Sequence, residues 1–144
     1  MSRYFNPSSS LNMIEPVRNH RVSFETAREL GFVHHVRPGY PEPQEITPPS
    51  AAPHWAIVFK RKISLQPSER KTIKTGWVVE VPQGYVLWLR PAYYHPFSAI
   101  KSQSIFPGEG PVEVKIRLRA HDIHTIIHKN KIHVHAFLLL NPTN

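Results

Sequence analysis

The hydrophobic positions of the chain fall into two regimes that meet near Trp55. From Trp55 onward, short runs rich in β-branched and aromatic residues alternate with turn residues, the pattern of an all-β domain. The runs predict strands near Trp55–Phe59, Ile63–Leu65, Arg70–Val81, Tyr85–Pro91, Ser98–Ile105, Val112–Arg119, Ile123–His128 and Lys131–Leu140. In the strand at Val112–Arg119, Val112, Val114, Ile116 and Leu118 share one face, while Glu113, Lys115, Arg117 and Arg119 share the other. One face is expected in the core and the other in water. Pro82-Gln83-Gly84 supplies a turn, proline and glycine each suiting a special backbone position. No repeat with the period of a solenoid or propeller is visible.

Before Trp55 the punctuation is different. Pro7, Pro16, Pro38, Pro41, Pro43, Pro48, Pro49 and Pro53 all lie there, and proline fixes φ and removes a ladder donor. Residues 1–54 are therefore expected to form an extended, semi-rigid arm that contributes no strand, ahead of a β domain over residues 55–144. The exception is a short helix at Phe24 to Leu30, with Ser23 as N-cap, Glu25 in the first turn and Gly31 as the stop. So short a helix is marginal in water. Phe24, Leu30 and Phe32 must bury against something, and the arm reads as an attachment device to a partner.

Composition bounds the rest. At 144 residues the chain suits one domain with an appendage. It has no cysteine, so neither a disulfide framework nor a thiolate metal site is expected. The chain has no apolar run of membrane-spanning length and no signal-peptide pattern at its N-terminus, so a soluble, non-membrane protein is expected. The net charge is +8, with ten histidines besides, and an acidic partner follows: a protein surface or nucleic acid. No zinc-finger spacing, basic-zipper pattern or RNA-stacking aromatic motif is present.

The order of signals in the last ninety or so positions resembles the trimeric dUTPase superfamily. The family hairpin runs from an apolar-x-Pro-Gly turn through a Thr-Gly pair to a Pro-x-Gly-Tyr turn and a strand ending in proline. Here these are Leu65-Gln66-Pro67-Ser68, Thr75-Gly76, Pro82-Gln83-Gly84-Tyr85 and Leu89-Arg90-Pro91. Gly110 to Leu118 is similar to the strand after the family's catalytic loop, and Lys129 to Pro142 to its closing strand. The resemblance covers Trp55 to Pro142. It implies a distorted β-barrel or jelly roll assembled as a homotrimer.

The departures fall where that family keeps its chemistry. Its first motif carries an aspartate near the segment that here spans Ala52 to Phe59, where there is none. Its second places arginine and serine where this chain has Ala92, Tyr93, Tyr94 and His95. Its third supplies a water-activating aspartate and a stacking tyrosine, but residues 104–110 offer only Glu109 as an acid. The fourth motif's glutamine falls near Val134, and the glycine-rich fifth would lie past Asn144. Asp122 is the single aspartate of the chain, whereas a magnesium-dependent pyrophosphatase needs several carboxylates. No cofactor and no catalytic residue are assigned.

A basic dUTPase-like barrel lacking the catalytic motifs resembles adenoviral proteins derived from this enzyme. That implies a non-enzymatic, trimeric viral protein, a minor capsid or cementing component of the virion that meets neighbouring coat proteins through arm and barrel. It would pass through the host nucleus or cytoplasm during assembly. The alternative is an early adaptor binding host signalling proteins, although the C-terminal Asn-Pro-Thr-Asn does not suit a pocket for an apolar last residue. Residual dUTP binding or hydrolysis is the third reading.

Four groups carry candidate roles. Lys60, Arg61 and Lys62, with Lys115, Arg117 and Arg119, could form a phosphate-binding surface, against the alternative of a merely solvated face. Tyr93, Tyr94, His95 and Phe97 occupy the old substrate-loop position and could be reused for a partner. Most of the aromatics, Trp55, Trp77, Trp88 and Tyr85 among them, are expected in core or subunit interface. His133 and His135 sit two apart on a strand, as in a cupin metal site, but Ala136 to Leu140 supplies no carboxylate and no metal is assigned. A three-fold axis could instead gather copies of one histidine into an ion site or a pH-sensitive contact.

Overall fold

The computed structural model describes residues 22–49, 53–93, 99–108 and 110–141. Among these residues one helix, α1 (Phe24–Glu29), precedes ten strands: β1 (Val33–Val36), β2 (Gln44–Ile46), β3 (His54–Val58), β4 (Ile63–Leu65), β5 (Arg70–Glu80), β6 (Tyr85–Pro91), β7 (Gln103–Ile105), β8 (Val112–Arg119), β9 (Thr125–Ile127) and β10 (Ile132–Leu140). Three antiparallel sheets result, ordered β1-β5-β8, β2-β3-β10-β6-β7 and β4-β9. All three feed one core, in which Leu65, Trp77, Val79, Leu87, Leu89, Ile116 and Val134 are all but sealed from solvent. The all-β expectation holds.

The first third departs from its expectation. β1 lies along β5 with Val36 opposite Trp77, and β2 lies along β3 with Gln44 opposite Ala56. Both are edge strands, and the prolines at 38, 41, 43, 48 and 49 follow β1 and flank β2 without entering either. Proline signals the chain between such strands, and an edge strand needs only one partner. Residues 33–36 and 44–46 are therefore strands of the barrel's sheets and not part of a free arm. Residues 1–21 lie outside the described part.

Helix α1 forms as its sequence dictates. Ser23 is extended, with φ −72° and ψ 164°, and its Oγ accepts from Thr26 N at 3.1 Å. Gly31, at φ +100°, ends the helix by turning into a conformation glycine adopts without penalty. Six residues would not hold alone. Phe24 packs edge-on against Trp55 at 4.9 Å, Ala27 is fully buried, and Phe32 lies 5.0 Å from Trp55 and 6.4 Å from Trp77. Burying Phe32 is worth roughly 1.5–3 kcal/mol, which ties the helix to the barrel.

Two further strands are shorter than the pattern suggests. Of the expected Ser98–Ile105, only β7 is a strand, because the chain changes sheets on the way. Arg119 N donates to Ala99 O and Lys101 N to Arg117 O, and Ile100 bridges Leu118, before residues 103–105 join β6. In the expected Ile123–His128 only β9 pairs, since Ile123 is 69% exposed in the preceding bend. β8 alternates as read for Val114, Ile116 and Leu118, but Val112 at its first position is 44% exposed.

The Thr75-Gly76 pair makes an irregularity in β5. The register against β8 shifts between Lys74 and Val78. Thr75 Oγ1 donates to Val114 O at 2.6 Å and accepts from Trp77 N at 3.1 Å. Gly76 N donates to Glu113 Oε2 at 3.1 Å, Gly76 O accepts from Arg37 N at 2.8 Å, and Arg37 Nε meets Glu113 Oε1 at 3.5 Å. Every backbone group freed by the bulge at Gly76 thus has a partner, as burial requires. Gly76 has φ +73°, and a Cβ there would collide with the Tyr40 ring. Pro82-Gln83-Gly84 turns as read, with Tyr85 N donating to Pro82 O at 3.2 Å and Gly84 at φ +85°.

His34 on β1 faces this core. Trp77 Nε1 donates to His34 Nδ1 at 3.0 Å, so that nitrogen must be unprotonated. Burial is the main reason its pKa lies below the ordinary 6.5.

Gly76→Ala should destabilise the fold by more than about 1–2 kcal/mol through positive φ and the Tyr40 collision together. Adding Tyr40→Ala should restore only the part due to collision. Denaturant titration of both variants checks this. A histidine with a depressed folded pKa contributes stability that is complete above its unfolded pKa and lost as pH falls below it. The melting temperature should therefore drop from about pH 6.5 downward, and His34→Gln should flatten that decline in a pH series of thermal melts.

Candidate functional site

β5 and β8 bring their polar faces into one row. Arg70 lies opposite Arg119, Thr72 opposite Arg117 and Lys74 opposite Lys115. Directly opposed residues share a face with Cβ atoms about 4.5–5.5 Å apart, so two of the three pairs set like charges side by side. The inward neighbours Val114, Ile116 and Leu118 are buried and fix which face is turned outward. Lys101 lies alongside, held by the bond from its N–H to Arg117 O. Gln103 braces the same edge: its Nε2 donates to Lys115 O and its Oε1 accepts from Arg117 N at 3.3 Å.

Two grooves border the ladder and share Lys71, which stands opposite the buried Leu118, on the other side of β5 from Arg70 and Thr72, and donates to Ser64 O at 3.2 Å. One of about 390 Å³ is lined by Arg70, Lys71, Thr72, Lys101, Arg117 and Arg119, with Leu118 beneath. The other, of about 590 Å³, is lined by Lys60, Arg61 and Lys62 from the β3–β4 turn, with Tyr40, Lys71 and Lys74. Among the described residues, only Lys71 of these cations has a carboxylate partner, Glu69 at 3.9 Å. Lys60 Nζ sits 4.3 Å over the Tyr40 ring, a cation–π contact.

Both halves of the basic set read from the sequence, Lys60 to Lys62 and the β8 cations, therefore border these grooves or stand beside them. Arg70, Lys71, Lys74 and Lys101 were missed. Arg70, Thr72 and Lys74 do show the two-residue polar spacing of an outward face, but only the pairing of β5 with β8 sets them against Arg119, Arg117 and Lys115.

The aromatic candidates divide. Tyr93 is 65% exposed beyond β6, and Tyr94, His95 and Phe97 lie outside the described residues. Phe32 is buried and Phe24 half-buried against this chain's own Trp55, so partner-binding roles for them are corrected: their apolar surface is used within the barrel. Leu30 is 37% exposed at the helix end. Trp55 and Trp77 are core, whereas Trp88 packs on Phe137 at 5.9 Å on the outer side of the five-stranded sheet.

The two β10 histidines do not share an environment. A bulge shifts the register between Ile132 and Val134. His133 stacks on Phe59 at 5.6 Å, its Nε2 2.8 Å from His128 O, while His135 packs against His54 at 4.2 Å. Burial first, then the neighbouring His54 and Arg90, push the His135 pKa down to about 4. No three metal-ligating side chains gather among the described residues.

No protein-family model matches the sequence, and no curated protein matches it either. Solved structures do. A mutant dUTPase from phage phi11 of S. aureus superposes with a TM-score of 0.63 at 15% identity, covering 78% of this chain and 92% of that one. The fold is that of the dUTPases. Staphylococcus bacteriophage 80alpha dUTPase is similar in the same way: with dUpNHpp it gives a TM-score of 0.61 at 16% identity over 78% of this chain and 84% of that one. The expected dUTPase-like frame is thereby established, and the covered share of the phage enzymes is nearly whole.

The opposed cations of this dUTPase-fold barrel repel one another. Arg119→Glu, which would face Arg70, should raise stability by about 0.2–1 kcal/mol in low salt. Thermal melts in about 1 M salt, where screening reaches within about 3 Å, should show most of that gain gone.

Proposed function

We propose that this chain is a non-enzymatic dUTPase-fold protein that assembles as a homotrimer and serves as a structural component of a viral particle. In this role it is a minor capsid or cementing protein set against neighbouring coat subunits, of the adenoviral kind suggested by the sequence. The observation that carries the reading is a frame kept without the aspartates of its first and third motifs. The Thr75-Gly76 bulge and the Pro82-Gln83-Gly84 turn are fully built, while the single aspartate, Asp122, is exposed in the β8–β9 connection, outside residues 104–110. Metal-assisted attack of water on a phosphoanhydride needs carboxylates gathered around the metal. The likeness to phage enzymes supports a viral setting.

A protein of this kind acts by what it touches. Its long-range attraction is set by the net charge of +8, which favours acidic neighbours. The exposed Tyr93 and Phe106, 65% and 59% accessible, offer apolar contact points near the family's former substrate loops. The virion is the expected location, reached through the nucleus or cytoplasm of the host.

Quantitative mass spectrometry of purified particles should find the chain at a fixed ratio to the major coat protein after mild washing. Light scattering should give three chain masses, and magnesium-dependent dUTP turnover should stay at the buffer rate. Absence from particles with abundance in infected-cell lysate would defeat the structural role in favour of the adaptor, with Tyr93 the first residue to replace. Turnover above background would overturn the non-enzymatic reading.

A further inference from the structure

We propose that the outer face of the β5–β8 ladder binds the phosphate backbone of a nucleic-acid duplex, without regard to base sequence. This goes beyond a structural role in a particle and stands or falls separately from it. The site is a groove of about 390 Å³ with Arg70, Lys71, Lys101, Arg117 and Arg119 around Thr72. None of its lining residues is acidic, and among the described residues Glu69 reaches only Lys71. The neighbouring groove, whose lining also includes Phe59, Ile63 and Ile73, carries further cations at Lys74, Lys60, Arg61 and Lys62 around the edge of β5.

The arrangement works against the fold's own stability. Like charges directly across a ladder are destabilising, yet Arg70 faces Arg119 and Lys74 faces Lys115. All four are exposed and none packs the core, so folding does not call for them. A polyanion laid along the face would remove the repulsion and release condensed counterions.

The lining selects among anionic partners. Protein interfaces need an apolar, charge-depleted centre, whereas nucleic-acid interfaces are polar and strongly positive. Leu118, the one apolar lining residue, is 2% exposed and can anchor no peptide. Single strands are held by stacking on open aromatic rings, but Lys60 covers the Tyr40 ring and Phe59 is 2% exposed. Cations set in a row meet phosphates without reading sequence, and the Gln103 amide at this edge has both its ends engaged by the β8 backbone. What remains is recognition of duplex phosphates by charge.

The test is fluorescence anisotropy of a labelled DNA duplex of about 20 base pairs with the full chain, across about 50–200 mM salt. Binding should weaken with salt at a log–log slope of about −4, as for four or five neutralised phosphates. Arg117→Gln with Arg119→Gln should make the slope shallower by about 2 and weaken binding about tenfold or more. Arg70→Gln with Lys101→Gln should do the same, and both variants should melt no lower than wild type. Lys129→Gln with Lys131→Gln, an equal charge loss in the β9–β10 turn, should leave the slope unchanged. The proposal is overturned by no binding at the lowest salt, or by groove variants indistinguishable from that control. Polyglutamate displacing the duplex as well as unlabelled DNA does, or a tighter single-strand complex, would also overturn it by pointing to an acidic protein or an unpaired strand.

Discussion

The bulge at Thr75-Gly76 is the constraint from which the rest of this barrel is arranged. It joins residues nearly forty positions apart, with Thr75 bonded to Val114 O and Gly76 to the Glu113 carboxylate. Glu113 in turn holds Arg37, whose N–H closes on Gly76 O, so the end of β1 and the start of β8 are fastened to one point of β5. Glycine is required twice over, for its positive φ and for the Tyr40 ring lying where a Cβ would project. With the bulge in place, Trp77 and Val79 turn into the core and β1 can pair along residues 77–80.

The same bulge divides β5 into halves of different character. Residues 75–79 are buried, whereas residues 70–72 and Lys74 are exposed and positive or hydroxylated. One strand thus supplies the centre of the core and one side of the basic face. The cations stand at fixed separations because Val114, Ile116 and Leu118 are locked inward beneath them. Their charge is held on a rigid ladder, which distinguishes this face from mobile lysines on a loop.

Docking of the N-terminal segment follows from aromatic packing. Phe24, Phe32, His34, Trp55 and Trp77 form a contiguous group with centroids 4.9–6.4 Å apart, drawing α1, β1, β3 and β5 together. His34 joins that group as an acceptor for Trp77, so docking favours its neutral form. A segment that looks detachable by its prolines is therefore bound through its rings.

The sequence by itself determined the features whose causes are local. The Ser23 cap and Gly31 stop set α1, the Pro82–Gly84 turn set the β5–β6 hairpin, and the alternation of β8 placed Lys115, Arg117 and Arg119 outward. Each rests on the backbone preferences or the spacing of neighbours. Tertiary structure alone decided that β1 and β2 are strands, since runs of three or four residues carry no period and gain their ladder bonds from β5 and β3. It also separated His133 from His135 by a bulge and buried the expected partner-binding phenylalanine at 32 in the chain's own core. The basic face lies between the two cases. Its charges were legible one strand at a time, but which strands pair is a non-local choice made by core burial, and that choice set Arg70 against Arg119.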